Sequence, residues 1–463
     1  METLLAIVSK INDCLSDYVL TVLLVGTGVF FTIRTRFVQI RCFKEGWKNA
    51  FGSFSFHGGK QEAGMSPFQA LSAAVAAQVG TGNIVGASGA IITGGPGAIF
   101  WMWVIAFFGM ATIYAEAVLA QKTRIVDADG TVHGGPVYYI KKAFPNFFGT
   151  LLALLFAAAI IISLGFMGCM VQANSIGETC QTAFGVPAWS VGIIIAIISG
   201  IIFIGGVSRL ASVTEKLVPT MAIIYIVGGV IILCIRAKYL PDTFIAIFKY
   251  AFVPEALIGG GFGYAIKTAI SQGVKRGLFS NEAGMGSTPH AHAVANVKDP
   301  HTQGTVAMIG VFLDTVIVLT LTALIVISTL YVGDGVLARA TGDTYNTLLA
   351  SCEITQTNMV QRAIGSVTTA HIGNVFIAVC LLFFAFSTIL SWNFFGKINF
   401  HYLFGKKAVI VYSAIAIIFI FLGTIMKSSL VWALQDMFNQ LMVLPNVIAL
   451  FALSKMVEGK PGA

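Results

Sequence analysis

Charged side chains are scarce in this chain. Asp, Glu, Lys and Arg make up 10% of its 463 residues, against roughly a quarter in an ordinary soluble domain. With 57% hydrophobic residues and a mean hydropathy of +0.86, a soluble globule would have too little polar surface to show water. The seven cysteines have neither CxxC nor metal-ligand spacing, which argues against a redox pair or a thiolate metal site. Cys14, Cys169, Cys234 and Cys380 fall in or beside apolar stretches, where a thiol acts as a small hydrophobe. Cys180 and Cys352 fall on one side of the topology below, but nothing in the sequence brings them together. Long polar segments are missing too. The longest are Lys122–Pro145, Gly273–Gly304 and Gly333–Ser366, so residues 1–463 read as a single domain. No nucleophile–base set, metal signature or pore-ring motif interrupts the apolar sequence, which argues against an enzyme and a channel. Gly94-Gly95-Pro96-Gly97 lacks the Lys-Ser/Thr of a phosphate loop and reads as a turn.

What the chain does have is about eleven apolar spans of roughly 20 residues, the length that crosses a bilayer. They centre near Val22, Val79, Phe107, Ala159, Ile195, Ile224, Ile266, Leu319, Cys380, Ile415 and Val443. The first carries Glu2 and Asp13 rather than a basic leader and is read as a retained helix. The net charge of +8 invites a polyanion partner, but its distribution speaks for topology. With the N-terminus outside and the C-terminus cytoplasmic, the inner loops collect Arg34, Arg36, Arg41, Lys44, Lys48, Lys122, Arg124, Lys141, Lys142, Lys275, Arg276, Lys397, Lys406 and Lys407. That is the positive-inside pattern, and no nucleic-acid partner is implied.

One apolar span is interrupted at its centre by Gln78-Val79-Gly80-Thr81-Gly82-Asn83. Backbone outside a helix cannot face lipid, so a helix that breaks at mid-membrane breaks around something polar. A second glycine run, Gly259-Gly260-Gly261-Phe262-Gly263, begins a later span. Paired interruptions at corresponding positions point to an inverted repeat with a site between its halves. The expected architecture is all-α and polytopic, with an extra N-terminal helix (15–40), a first five-helix repeat (66–238) and a second (254–455).

These residues carry a family resemblance. Gly80-Thr81-Gly82-Asn83-Ile84, Gly94-Gly95-Pro96-Gly97-Ala98 with Phe100-Trp101-Met102-Trp103, Gly109-Met110-Ala111-Thr112, Ala115-Glu116, Gly134-Gly135-Pro136 with Tyr138-Tyr139, and the block Arg276–Gly284 through Ala291-His292-Ala293 resemble the alanine or glycine:cation symporters of bacteria and archaea. The match runs from the first helix to the last. It implies a leucine-transporter-type fold in a prokaryotic cell membrane, sodium as coupling ion with no other cofactor, and inward movement of alanine or glycine. Glutamine stays open as a solute, and a proton-coupled or exchange-type carrier as an alternative.

A zwitterion needs donors for its carboxylate and acceptors for its ammonium. The broken first core helix offers N–H groups at Thr81, Gly82 and Asn83, at the positive end of a half-helix dipole. Carbonyls freed around Gly260 and Gly261 suit the ammonium, with Phe262 capping the solute and Ile266 a turn below. Gln172 and Gln78 offer either solute contacts or interhelical hydrogen bonds. For sodium, a hard cation that takes oxygen ligands, the hydroxyls of Ser387 and Thr388 match the position where proteins of the implied fold complete an ion site. The carbonyls of Ala76, Val79 and Phe384 would finish the shell. Two carboxylates fall in apolar spans. Asp314 reads either as a functional group or as a hydrogen-bonding one near the core, and Glu116 as a residue at the inner interface. His290, His292 and His301 read as solvated histidines of a cytoplasmic loop rather than a zinc set.

Overall fold

The computed structural model describes residues 2–15, 20–52, 65–127, 132–204, 206–253, 262–338, 340 and 342–459. These form helices joined by short connections, apart from one small antiparallel pair in which Ile125 faces His133 and Val126 faces Val132. The N-terminal segment holds α1 (Glu2–Cys14), α2 (Thr21–Arg34) and the amphipathic α3 (Phe43–Phe51). There follow α4 (Pro67–Gln78), α5 (Gly82–Gly94), α6 (Ala98–Thr123), α7 (Pro136–Ala143), α8 (Phe147–Phe184), α9 (Ala188–Ile204), α10 (Gly206–Ile235) and α11 (Leu240–Phe252). The chain continues through α12 (Phe262–Asn281), α13 (Pro289–Val294), α14 (Pro300–Tyr331), α15 (Asp343–Ser351), α16 (Met359–Val367), α17 (Ala370–Phe404), α18 (Val409–Ile425) and α19 (Ser428–Ala452).

Local chemistry starts these helices where the sequence supplies caps. At α4 the Ser66 hydroxyl accepts from the Gln69 N–H at 3.1 Å, the Gln69 side chain accepts from the Ser66 N–H at 3.0 Å, and Pro67 fills the first turn. Asn146, Asp299 and Thr369 cap α8, α14 and α17 in the same manner. Among the described residues six helices are long and apolar enough to cross a membrane: α6, α8, α10, α14, α17 and Lys406–Ile425. The pair α4 and α5, bent by 45°, makes a seventh. The protein is thus a multi-pass membrane protein. The remaining spans read from the sequence are short, as in α2 and α9, or carry buried polar groups, as α19 does with Gln435, Asp436, Asn439, Gln440 and Asn446.

Two packed groups organise the molecule. Helix α6 lies against α2, α12 and α14, while α8 lies against α17 and α18, and α9 against α18. Helices α4 and α10 pack on each other and both touch α17. The α4–α5 bend therefore sits where the two groups meet.

A second interruption stands beyond the glycine run. Gly259, Gly260 and Gly261 fall outside the described residues, and from Phe262 the backbone is helical through Asn281. The chain leaves the helix at Glu282 (φ 58°), Gly284 (φ 91°) and Gly286 (φ 79°) and resumes at Pro289. The polar stretch Gly273–Gly304 is therefore largely buried helix and break rather than a loop. Lys275 and Arg276 are not loop cations; both pair with Asp436 of α19. His290, His292 and His301 are buried rather than solvated. His290 contacts the Ser287 carbonyl at 2.7 Å and the Asn399 amide at 2.8 Å, and His292 contacts the Gln303 amide at 2.7 Å. The Cys180 and Cys352 thiols are not in a disulfide.

Glu116 also departs from its expected place at an interface. It is fully buried in α6, and its carboxylate accepts from the N–H groups of Gly284 (3.1 Å) and Gly286 (2.9 Å) and from Asn446 Nδ2 (2.6 Å). Asn446 Nδ2 also reaches the Gly284 carbonyl at 2.9 Å. From other helices the second break is thus held by the Glu116 carboxylate and the Asn446 amide, and also by Trp392, whose Nε1 donates to Glu282. Glu116→Ala strands three buried donors, at about 1–3 kcal/mol each. We expect it to lower the thermal-unfolding midpoint of purified protein far more than Glu116→Gln, which keeps one acceptor oxygen. Equal midpoints for the two variants would refute this role.

Candidate functional site

The first break is built from backbone groups released by the helix and claimed by side chains. Val79 leaves helical geometry (φ −80°, ψ 88°). The Gly80 N–H donates to Asn83 Oδ1 at 3.0 Å, and the Thr81 N–H to Gln172 Oε1 of α8 at 3.1 Å. Asn83 Nδ2 donates to Asp314 Oδ1 at 2.6 Å and to the Asp314 carbonyl at 3.1 Å. Asp314 stands in a wider, π-helical stretch of α14, Phe312–Leu319, a feature frequent at functional sites. Its carboxylate also accepts from the hydroxyls of Ser280 (3.0 Å) and Thr315 (2.7 Å). One buried carboxylate therefore joins the start of α5, the end of α12 and α14.

The second break meets the first. A Cβ built on Gly82 would lie 3.1 Å from both Phe279 Cδ1 and Ser280 Cα, so the N-terminus of α5 abuts the C-terminus of α12. These ends carry opposite partial charge, positive at the free N–H groups and negative at the free carbonyls. Gln78 Nε2 donates across the junction to the Asn281 carbonyl at 2.8 Å. Thr81 Oγ1 and Gln172 Nε2 are buried beside it with no hydrogen-bond partner. Phe279 seals the junction, its ring edge-on to Trp392 (5.7 Å, 90°) and tilted on Trp432 (4.8 Å). On the far side of Phe279 a cleft between α12 and α19 is lined by Val274, Leu278, Asn439 and Gln440. There Asp436 pairs with Lys275 Nζ (2.9 Å) and Arg276 Nη1 (3.0 Å), and the Arg276 guanidinium lies 4.7 Å from the Trp432 ring centre.

Beside the first break a third feature is a cluster of neutral oxygens. Thr388 Oγ1 lies 2.8 Å from the Ala76 carbonyl, 3.0 Å from that of Phe384 and 3.5 Å from that of Val79. Ser387 Oγ lies 2.8 Å from the Phe384 carbonyl. Three carbonyls and two hydroxyls, buried and uncharged, form a donor set suited to a hard monovalent cation.

The whole chain carries the signature that this geometry suggests. Residues 1–460 match the model of the sodium:alanine symporter family. The chain is 39% identical to the sodium/alanine symporter AgcS of Methanococcus maripaludis, over 99% of this chain and 96% of that one. It is also 39% identical to an uncharacterised transporter of Haemophilus influenzae, over 98% and 95%. The chain belongs to the sodium:alanine symporter family. Among solved structures, MhsT in complex with L-phenylalanine superposes with a TM-score of 0.59 at 16% identity, over 85% of this chain and 90% of that one. That likeness gives this family member the fold of MhsT.

Within this symporter-family chain, Gln78, Thr81, Gly82, Asn83 and Gln172 gather at the junction, and Ala76, Val79, Phe384, Ser387 and Thr388 gather in the oxygen cluster. The N–H groups of Thr81 and Asn83 are already used, by Gln172 Oε1 and the Gly80 carbonyl. The unspent donors are the Thr81 hydroxyl and the Gln172 amide instead. Gly260, Gly261 and the Phe262 side chain lie outside the described residues. Ile266 stands 13 residues before Phe279 on one helix, about 20 Å along its axis, and is not brought to the junction. The aromatic ring that lies at the junction is that of Phe279. Phe279, Ser280, Asp436 and Trp392 were not singled out from the sequence; Asn281-Glu282-Ala283-Gly284 ahead of Pro289 was the signal available for the break.

Gly80 is wedged between both features. A Cβ there would sit 2.4 Å from Thr388 Oγ1 and 3.1 Å from Gln172 Oε1. We expect Gly80→Ala to abolish transport while the protein still folds, because one methyl displaces a hydroxyl of the oxygen cluster and crowds the amide at the junction. Wild-type uptake by this variant would contradict the geometry.

Proposed function

We propose that the protein is a sodium-coupled symporter that carries a small neutral amino acid, alanine or glycine, into the cell by alternating access. The observation that carries the reading is the abutment of two half-helix ends of opposite polarity at Gly82 and Phe279–Ser280. An α-amino acid presents the complementary pair of charges. Its carboxylate faces the start of α5 with the Thr81 hydroxyl and the Gln172 amide, and its ammonium faces the free carbonyls at the end of α12. The rings of Phe279, Trp392 and Trp432 wall the side-chain end of the solute. Sodium takes Ala76, Val79, Phe384, Ser387 and Thr388. Phe279, backed by the Asp436 pair with Lys275 and Arg276, acts as the lid of the cleft. Two five-helix halves of opposite topology, about eleven spans in all, an outside N-terminus and a cytoplasmic C-terminus complete the proposal, in a prokaryotic cell membrane.

A second reading rests on Asp314. Its carboxylate is buried with the neutral partners Asn83, Ser280 and Thr315, an arrangement able to carry a proton in place of the sodium ion. Labelled alanine taken up by proteoliposomes under an inward sodium gradient at matched ionic strength separates the two. Accumulation that collapses with the sodium gradient supports symport with sodium. Accumulation driven by a proton gradient alone, and lost in Asp314→Asn, supports the second reading.

The oxygen cluster gives a sharper expectation. Ser387→Ala combined with Thr388→Ala removes two of five ligands, so the sodium concentration for half-maximal uptake should rise at least tenfold. The ranking of alanine, glycine and serine should stay as in wild type. A changed ranking with an unchanged sodium requirement would place the ion elsewhere.

A further inference from the structure

His301 opens α14 far from the junction, and its two nitrogens are in different situations. Nδ1 lies 2.7 Å from the Tyr114 hydroxyl. That hydroxyl has one proton, and it donates it to the Glu458 carbonyl at 3.0 Å. The tyrosine oxygen must therefore accept from Nδ1, which puts an imidazole proton on Nδ1 and leaves Nε2 as the position that takes either a second proton or a metal ion. Nε2 is buried without a hydrogen-bond partner, yet Glu45 Oε2 stands 3.4 Å away. The two atoms repel at that distance unless a proton or a metal cation lies between them.

The surroundings supply the rest of a coordination sphere. Cys42 caps α3 and Glu45 lies in its first turn. The donor atoms of Cys42, Glu45 and His301 all lie within 4.8 Å of one another. Two ligands about 2.0–2.1 Å from a tetrahedral zinc ion stand about 3.4 Å apart, the separation of Nε2 and Oε2. The thiolate needs slightly more, about 3.6 Å from each, for a bond of ~2.3 Å. Tyr114 is the outer partner that fixes a ligating imidazole's tautomer. Glu45 is 43% exposed, which provides an entry path, and a solvent molecule would fill the fourth position.

We propose that Cys42 Sγ, the Glu45 carboxylate and His301 Nε2 form a binding site for a divalent transition metal of the zinc class, tying α3 to the first turn of α14. The site is independent of the transport reading, because neither solute nor coupling ion touches it.

The test uses full-length protein purified without a histidine tag and stripped of metal, titrated with Zn2+ against a chromophoric chelator and with Co2+ as a spectroscopic probe. One equivalent should bind, and Co2+ should show a thiolate charge-transfer band that Cys42→Ser removes. His301→Gln should weaken Zn2+ binding at least 100-fold and Tyr114→Phe by 10- to 100-fold. Glu45→Gln, on the exposed rim, should weaken it at least tenfold; it decides the matter if the buried variants misfold. Absence of saturable one-to-one binding in wild type, or affinity unchanged in Glu45→Gln, overturns the proposal and leaves an ordinary imidazolium–carboxylate contact.

Discussion

Everything at the centre of this protein follows from one requirement: backbone polar groups freed inside an apolar bundle must find partners, because lipid offers none. Two helices are interrupted, and several of the released groups are claimed by side chains from other helices. Gln172 takes the Thr81 N–H, Thr388 donates to the Ala76 carbonyl, Glu116 accepts from the N–H groups of Gly284 and Gly286, and Gln78 donates to the Asn281 carbonyl. The breaks are therefore not loosened helix. They are points where α6, α8, α14, α17 and α19 are all committed to the same few backbone atoms.

That commitment explains why so many polar residues are buried in so apolar a chain. Asp314 and Glu116 act as hubs of opposite placement. Asp314 joins the two breaks to each other, while Glu116 joins the second break to α6 and, through Asn446, to α19. Each carboxylate accepts from three or more donors, which offsets much of its desolvation. Removing a hub would release several groups together, so its effect should exceed that of any single contact.

The first break was legible in the sequence because it places an amide, a hydroxyl and two glycines within six residues of an apolar span. The break at 282–288 is not legible in the sequence, and the reason is physical. It begins with Glu282 in left-handed geometry, and the N–H groups of Gly284 and Gly286 are held by a carboxylate of α6, far earlier in the chain. No local pattern records such a partner. The same holds for Asp436, whose partners Lys275 and Arg276 look like loop cations until α12 is seen to run past them. His301 reads from the sequence as a solvated loop histidine, whereas the fold sets Cys42 and Glu45, from α3 and its cap, beside it. Ser387 and Thr388 stand out in the sequence only through the family resemblance; the fold sets Thr388 against the carbonyls of Ala76 and Val79. Register and distant pairing were not readable, since they depend on which helix faces which.

The closeness of the two candidate sites gives a physical basis for coupling. Val79, whose carbonyl faces Thr388, and Thr81, whose N–H is held by Gln172, are separated only by Gly80. A cation drawing the Ala76 and Val79 carbonyls toward Ser387 and Thr388 would set the torsions of Gly80, and with them the direction in which the start of α5 presents its N–H groups. Ion binding and solute binding would then share one tripeptide, and either ligand would lower the cost of ordering it for the other. The energy available is bounded. A tenfold sodium gradient supplies ~1.4 kcal/mol per ion and ~100 mV adds ~2.3 kcal/mol per charge. One sodium ion per solute therefore sustains roughly 500-fold accumulation. A coupling free energy of 1–3 kcal/mol, typical of linked sites, is enough to keep the empty-ion carrier from leaking that gradient quickly, and three residues of shared backbone can supply it.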